Sequence, residues 1–360
     1  MAILYLLGGL IALIAGGEFL VRGASVLARF MRLSSFVIGL SVVAFGTSSP
    51  ELAVSIRAVL EGADGISLGN VIGSNIFNVL FILGVAAVIS PLTVARQAVR
   101  VDVPVMIGAS VVTALFALDN RIDRIEGAIL VFLLLVYLVV LFRLGRKNAG
   151  DESGSDAKVS LGRMDFPVLW IVVGLGLLVL GAKWLVGGAV EIATKLSVPP
   201  LVVGLTIVAV GTSLPEVAVS VIASLRGERD IAVGNVVGSN IFNLFGVLGL
   251  AAWISPTGLS VSPNAIQFDF PVMVGVALVC LPIFFTGSRI SRWEGVLFLA
   301  WYVAYLVFLL LSSLGHPLLR TFTWALAGFA LPLTVIGIGV SFAVAFHRWQ
   351  TERGDGSWLE

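Results

Sequence analysis

The sequence has 360 residues, 58% of them hydrophobic and only 12% charged, whereas a soluble domain of this size carries about 25% charged residues. Its 22 Lys and Arg against 21 Asp and Glu exclude the basic surface of a nucleic-acid binder. The single cysteine, Cys280, excludes an internal disulfide, and its apolar surroundings suit a core or lipid-facing position.

Apolar stretches long enough to cross a bilayer, about 20 residues each, fall at 2–27, 36–60, 66–89, 101–118, 125–143, 166–190, 200–224, 231–254, 268–286, 292–314 and 323–346. The first is too long to be a cleaved signal peptide. The pattern predicts an all-α membrane protein, with 1–144 as a first five-helix unit and 163–314 as a second. Residues 145–162 form a polar linker, and 315–360 hold an eleventh helix and a tail. The linker carries Asp151, Glu152 and Asp156, but Gly162 stands where a twelve-residue calcium loop needs Glu, so it reads as a solvated hinge.

One phrase occurs twice. Gly46-Thr47-Ser48-Ser49-Pro50-Glu51 precedes Gly69-Asn70-Val71-Ile72-Gly73-Ser74-Asn75-Ile76-Phe77-Asn78, and both return 165 residues later. There they read Gly211-Thr212-Ser213-Leu214-Pro215-Glu216 and Gly234-Asn235-Val236-Val237-Gly238-Ser239-Asn240-Ile241-Phe242-Asn243. Weaker echoes link Leu33-Ser34 with Leu196-Ser197, Asp102-Val103-Pro104 with Asp269-Phe270-Pro271, and Arg121 to Gly127 with Arg289 to Gly295. Five crossings per unit make the second unit enter the bilayer from the opposite side, as inverted repeats whose interface lies near the midplane. Asp123/Glu126 and Ser291/Glu294 have capping-box spacing, and Asp102 and Asp269 suit helix starts, all structural roles. Sixteen Lys and Arg fall on one side of the spans and five on the other, which puts the N-terminus outside and the C-terminus inside.

Residues four apart share a helix face. Thr47 with Glu51, Thr212 with Glu216, Ser74 with Asn78 and Ser239 with Asn243 are so related, and Ser48 and Ser213 lie on the same flank as the glutamates. The rows contain oxygen ligands and no sulfur or imidazole, which suits Ca²⁺ or Na⁺ rather than zinc or copper. Pro50 and Pro215 cannot donate to the carbonyl four residues earlier, so carbonyls in the stretches from Ala44 to Thr47 and from Ala209 to Thr212 are candidates to face an ion. Gly46, Gly69, Gly73, Gly211, Gly234 and Gly238 would let the helices close up. Polar packing alone would explain the glycines, serines and asparagines, but not two intramembrane glutamates at matching positions. Two carboxylates neutralise one Ca²⁺, and adding Na⁺ to an occupied, poorly screened cavity is opposed by repulsion of several kcal/mol. Exclusive occupancy combined with alternating access produces antiport.

The paired Gly-Thr-Ser-x-Pro-Glu and Gly-Ser-Asn-x-x-Asn motifs resemble the alpha-repeats of the sodium/calcium exchanger family, over about the first 314 residues. The resemblance implies Glu51 and Glu216 as central Ca²⁺ ligands, with Thr47 and Thr212 contributing backbone carbonyls. It assigns Ser48, Ser213, Ser74, Ser239 and the Ala44 and Ala209 carbonyls to Na⁺ sites, with Asn78 and Asn243 beside the centre. It also implies a plasma-membrane protein with no cofactor, a monomeric transport unit, and first and sixth helices that slide across the rest. Asn243, where K⁺-dependent relatives carry Asp, leans against K⁺. Proton-coupled relatives show Gly-Asn-Ala-x-x-Glu, so the phrase here leans towards Na⁺, with H⁺/Ca²⁺ exchange as the alternative. The extra helix, which has no acidic residue, reads as peripheral.

A channel is a competing class. An intramembrane hydrolase has no histidine near Ser48 or Ser213 to serve as base. Glu18 and Lys183 are also 165 apart; a bridge between them competes with a Glu18–Arg22 pair and with snorkelling of Lys183.

Overall fold

A computed structural model of the chain describes residues 1–151, 166–196, 209–285 and 289–339. Among these, the long apolar helices are α1 (Ala2–Met31), α4 (Asp64–Ile89), α5 (Ala98–Asp119), α6 (Arg124–Gly145), α7 (Pro167–Lys195), α9 (Arg229–Ile254), α10 (Ala265–Phe285), α11 (Arg292–Ser313) and α12 (Leu318–Gly339). Between α1 and α4, the pair α2 (Ser35–Thr47) and α3 (Ser49–Leu60) makes one span bent by 42°. Between α7 and α9 the described part is a short turn, Ala209–Gly211, and α8 (Leu214–Leu225). The expected Ser197–Gly204 echo lies outside the described residues.

Four two-residue strands reveal the symmetry. β1 (Leu92–Thr93), after α4, pairs antiparallel with β4 (Arg289–Ile290), after α10, with Leu92 opposite Ile290. β2 (Arg121–Ile122), after α5, pairs with β3 (Leu259–Ser260), after α9, with Arg121 opposite Ser260. The loop after the third span of one unit thus meets the loop after the fourth span of the other. Consecutive loops alternate between bilayer faces, so this pairing requires the two five-span units to run in opposite senses.

The core is central and the flanks are lipid-like. The most apolar window of α9 is fully buried and that of α4 is 72% buried, against 33% and 28% for α1 and α7. Polar residues therefore survive in the middle of α4 and α9 because neither helix needs to face hydrocarbon. Gly234 and Gly238 bring α9 onto α2: a Cβ would lie 2.7 Å from the Phe36 oxygen and 2.5 Å from the Leu40 oxygen. For Gly69 and Gly73 a Cβ meets nothing within 4 Å among the described residues; the equivalent partner stretch, 201–208, lies outside them.

α1 and α7 form their own seam. Gly9, Gly16 and Gly23 face Gly181, Gly174 and the start of α7, and a Cβ on Gly16 would sit 2.8 Å from the Gly174 oxygen. Backbones this close pack through many small dispersion contacts.

The capping boxes are present. Asp123 Oδ1 accepts from the Glu126 N–H at 2.8 Å, and the Asp123 N–H donates to Glu126 Oε2 at 2.8 Å; Ser291 and Glu294 form the same box. Asp102 differs from expectation. It lies within a continuous helix rather than at its start, makes no cap bond, and accepts the Tyr137 hydroxyl at 2.9 Å. Asp269 is likewise interior to α10. The reason is that the helix begins earlier, in a widened turn at Ala98–Asp102 and at Ala265–Asp269. α12 packs at the edge, with only 6% of its apolar window buried.

Candidate ion-binding site

The helix breaks at Ser48, whose φ and ψ of −82° and 6° are non-helical. Ser213 does the same at −89° and 7°. In each case proline occupies the first turn of the new helix, and the glutamate follows in that turn. Pro lacks the N–H that would continue the ladder, so the sequence itself places a carboxylate beside a fresh helix N-terminus, where negative charge is favoured. Glu51 and Glu216 are fully buried.

Each serine reaches into the other repeat. Ser48 Oγ donates to Glu216 Oε1 at 3.1 Å, and Ser213 Oγ lies 3.0 Å from Glu51 Oε1 and 3.1 Å from Ser74 Oγ. Thr47 Oγ1 lies 3.1 Å from the Val43 oxygen and 3.1 Å from Asn235 Oδ1, and Thr212 Oγ1 3.3 Å from Asn70 Oδ1. The threonine hydroxyls are thus taken by the scaffold. The Ala44 carbonyl keeps a helical bond from the Ser48 N–H at 3.0 Å and lies 3.3 Å from Thr47 Oγ1, so the break does not release it. The proline removes the donor to Gly46 instead. Ala209 opens the described part of its span.

Residues absent from the expected set hold the glutamates in place. Asn70 Nδ2 donates to the Glu51 backbone oxygen at 3.1 Å and to Ser55 Oγ at 2.9 Å. Asn235 Nδ2 repeats this with the Glu216 oxygen at 3.4 Å and Ser220 Oγ at 3.0 Å. Their only signal in the sequence was identity between the two copies. Asn78 and Asn243 lie where α4 and α9 widen their hydrogen-bond ladder, over Asn78–Leu83 and Phe242–Leu248, a distortion common at functional sites.

Among the described residues, several buried oxygens here have no hydrogen-bond partner: Glu51 Oε2, Glu216 Oε2, Asn78 Oδ1, Asn243 Oδ1 and Ser239 Oγ. Leaving such groups unmade is expensive. Four of the five can only accept, so the missing partner is positively charged or donating. Among the described residues no group of three His, Cys, Asp or Glu could hold a metal. The donor set is two carboxylates with neutral oxygens, which fits a hard cation.

A family model described as sodium/calcium exchanger protein matches residues 1–143 and 166–311. The chain belongs to this family. Members are transporters, not enzymes, and the exchanger reading makes the chain a multi-pass membrane protein of cation/Ca²⁺ antiport. It is 37% identical over 346 residues to sodium/calcium exchanger MaX1 of Methanosarcina acetivorans, covering 85% of this chain and 97% of the relative. Inner membrane protein YrbG of Escherichia coli is 34% identical over 311 residues, covering 84% and 95%. The solved structure of the sodium-calcium exchanger NCX_Mj soaked with Na⁺ and Ca²⁺ superposes with a TM-score of 0.73 at 34% identity, covering 84% of this chain and 96% of that one.

Proposed function

We propose that this exchanger moves Ca²⁺ out of the cell against entering Na⁺, both ions using one midplane site in turn. Glu51 and Glu216 hold Ca²⁺, Asn78 and Asn243 flank it, and Ser48, Ser213, Ser74 and Ser239 with the Ala44 and Ala209 carbonyls serve Na⁺. Thr47 and Thr212 contribute backbone oxygen while their hydroxyls brace the helices. The observation that carries the reading is the set of buried, donor-less oxygens contributed by both repeats. The names of MaX1 and NCX_Mj, both sodium/calcium exchangers, favour Na⁺ as the counter-ion.

Two bound carboxylates balance one Ca²⁺, and a site with this charge cannot accept Na⁺ beside it without strong repulsion. Exchange then follows when the α1–α7 unit slides over the remainder and exposes the site to alternate faces. The N-terminus lies outside and the linker inside, in the plasma membrane, by the excess of Lys and Arg on that side. One chain contains both glutamates, which supports a monomeric transport unit.

The test is Ca²⁺ release from proteoliposomes containing the purified chain. Release is expected only with an opposed Na⁺ gradient. Release driven by a pH gradient without Na⁺ would replace Na⁺ by H⁺, and permeation with neither would favour a channel.

A further inference from the structure

Asn75 and Asn240 sit between Asn78 and Asn243, the two asparagines assigned above to flank Ca²⁺, and belong to neither expected ligand row. Both are buried, on α4 and α9. Asn75 Nδ2 donates to the Asn240 backbone oxygen at 3.4 Å, and Asn240 Nδ2 to the Asn75 oxygen at 3.3 Å. The same two nitrogens lie 3.8 Å from Met273 Sδ and 3.6 Å from Met106 Sδ. A carbonyl can only accept, and a thioether accepts weakly. Both neighbours therefore demand the nitrogen end of each amide.

That choice propagates. With its nitrogen committed, Asn75 presents Oδ1 to Asn243 and accepts from Asn243 Nδ2 at 3.2 Å. Asn240 Oδ1 likewise accepts from Asn78 Nδ2 at 3.0 Å. With the nitrogen end of each amide turned to that bond, Asn243 and Asn78 turn their oxygen the other way, and these are the Oδ1 atoms without a partner among the described residues. A flip anywhere in either series would put acceptor against acceptor and donor against donor.

We propose that Asn75 and Asn240 are positioning residues, which hold Asn243 and Asn78 with oxygen rather than nitrogen towards the transported cation. The claim rests on the Ca²⁺ reading above. It assigns no contact between either residue and the ion. An amide nitrogen turned to the cation would repel it, so orientation decides whether these asparagines are ligands or obstacles.

A double-substitution cycle tests this, because Asp in place of Asn243 presents oxygen whichever way it turns. Four full-length proteins are compared in detergent: wild type, Asn75→Ala, Asn243→Asp and the double variant. The readout is the Ca²⁺ concentration giving half of the maximal rise in unfolding temperature, which does not depend on the counter-ion. Asn75→Ala is expected to raise it about tenfold in the wild-type background, and less than about twofold beside Asn243→Asp. An equal loss in both backgrounds, or none in either, would overturn the inference. Unfolding temperature without Ca²⁺ separates lost fold from lost orientation. Should Asn75→Ala not purify folded, the mirror cycle of Asn240→Ala with Asn78→Asp reads the same coupling. A wild-type chain that Ca²⁺ does not stabilise would sink the Ca²⁺ reading and take this inference with it.

Discussion

The midplane and the flank of this molecule obey symmetry differently. At the midplane almost every bond has a twin: Ser48 to Glu216 and Ser213 to Glu51, Asn75 to Asn240 and back, Asn78 to Asn240 and Asn243 to Asn75. At the flank the twins are broken. α1 lies along α8, where a Cβ on Gly17 would meet Ile222 at 2.6 Å, while α7 has no comparable contact with α3. Glu18 on α1 pairs with Arg22 at 2.5 Å and with Arg226, just past α8. The positions 165 residues on from Glu18 and back from Arg226 are Lys183 and Glu61, the same pair with its charges exchanged. Here Glu61 is held by its neighbour Arg57 at 2.8 Å, and Lys183 is exposed without an ion pair among the described residues. A symmetric site cannot favour one face of the membrane. The seat of α1 and α7 breaks that symmetry.

The sharpest way to break that contrast is at the glutamates. Glu51→Gln and Glu216→Gln should each lower Ca²⁺ flux in proteoliposomes by about a hundredfold or more, with insertion unchanged. Because the site is symmetric, the two losses should agree within severalfold; a large disparity would show that the halves do unequal work. Next in size, Gly16→Val and Gly174→Val must force α1 and α7 apart, since a Cβ already falls 2.8 Å from the facing backbone oxygen. Overpacking of this kind costs about 1–3 kcal/mol, visible as a lower unfolding temperature and slower exchange. Glu18→Gln or Arg226→Gln removes a partly exposed pair worth up to about 1 kcal/mol. Exchange rates under a fixed Na⁺ gradient should then change by no more than about fivefold. Lys183→Gln should have the smallest effect, within about 0.5 kcal/mol of wild-type stability by thermal unfolding.

Much of this was legible beforehand, and for a physical reason. A charged group inside an apolar run must have a partner or a purpose, so two glutamates in a repeated phrase marked the candidate site, and odd crossings per unit announced the inversion. What stayed hidden depends on which way a side chain turns. Asn70, Asn75 and Asn78 are chemically alike and stand within one short stretch, yet one clamps a backbone, one braces an amide and one keeps an oxygen without a partner among the described residues. Spacing on a helix does not separate a donor from an acceptor. Asp102 was misplaced because a widened turn moved the helix start upstream. The Glu18–Arg226 contact joins residues 208 apart, and periodicity carries no record of such a meeting.

The small strand pairings have a mechanical consequence. One stitches the loops at one rim and the other stitches those at the opposite rim, each time sewing the first repeat to the second. Fastened at both rims, the two repeats are braced against opening about a hinge between them. Among the described residues, α1 and α7, packed against each other along their glycines, contribute no strand to these pairings. In the exchange proposed above, the cargo keeps its place and the wall beside it does the moving.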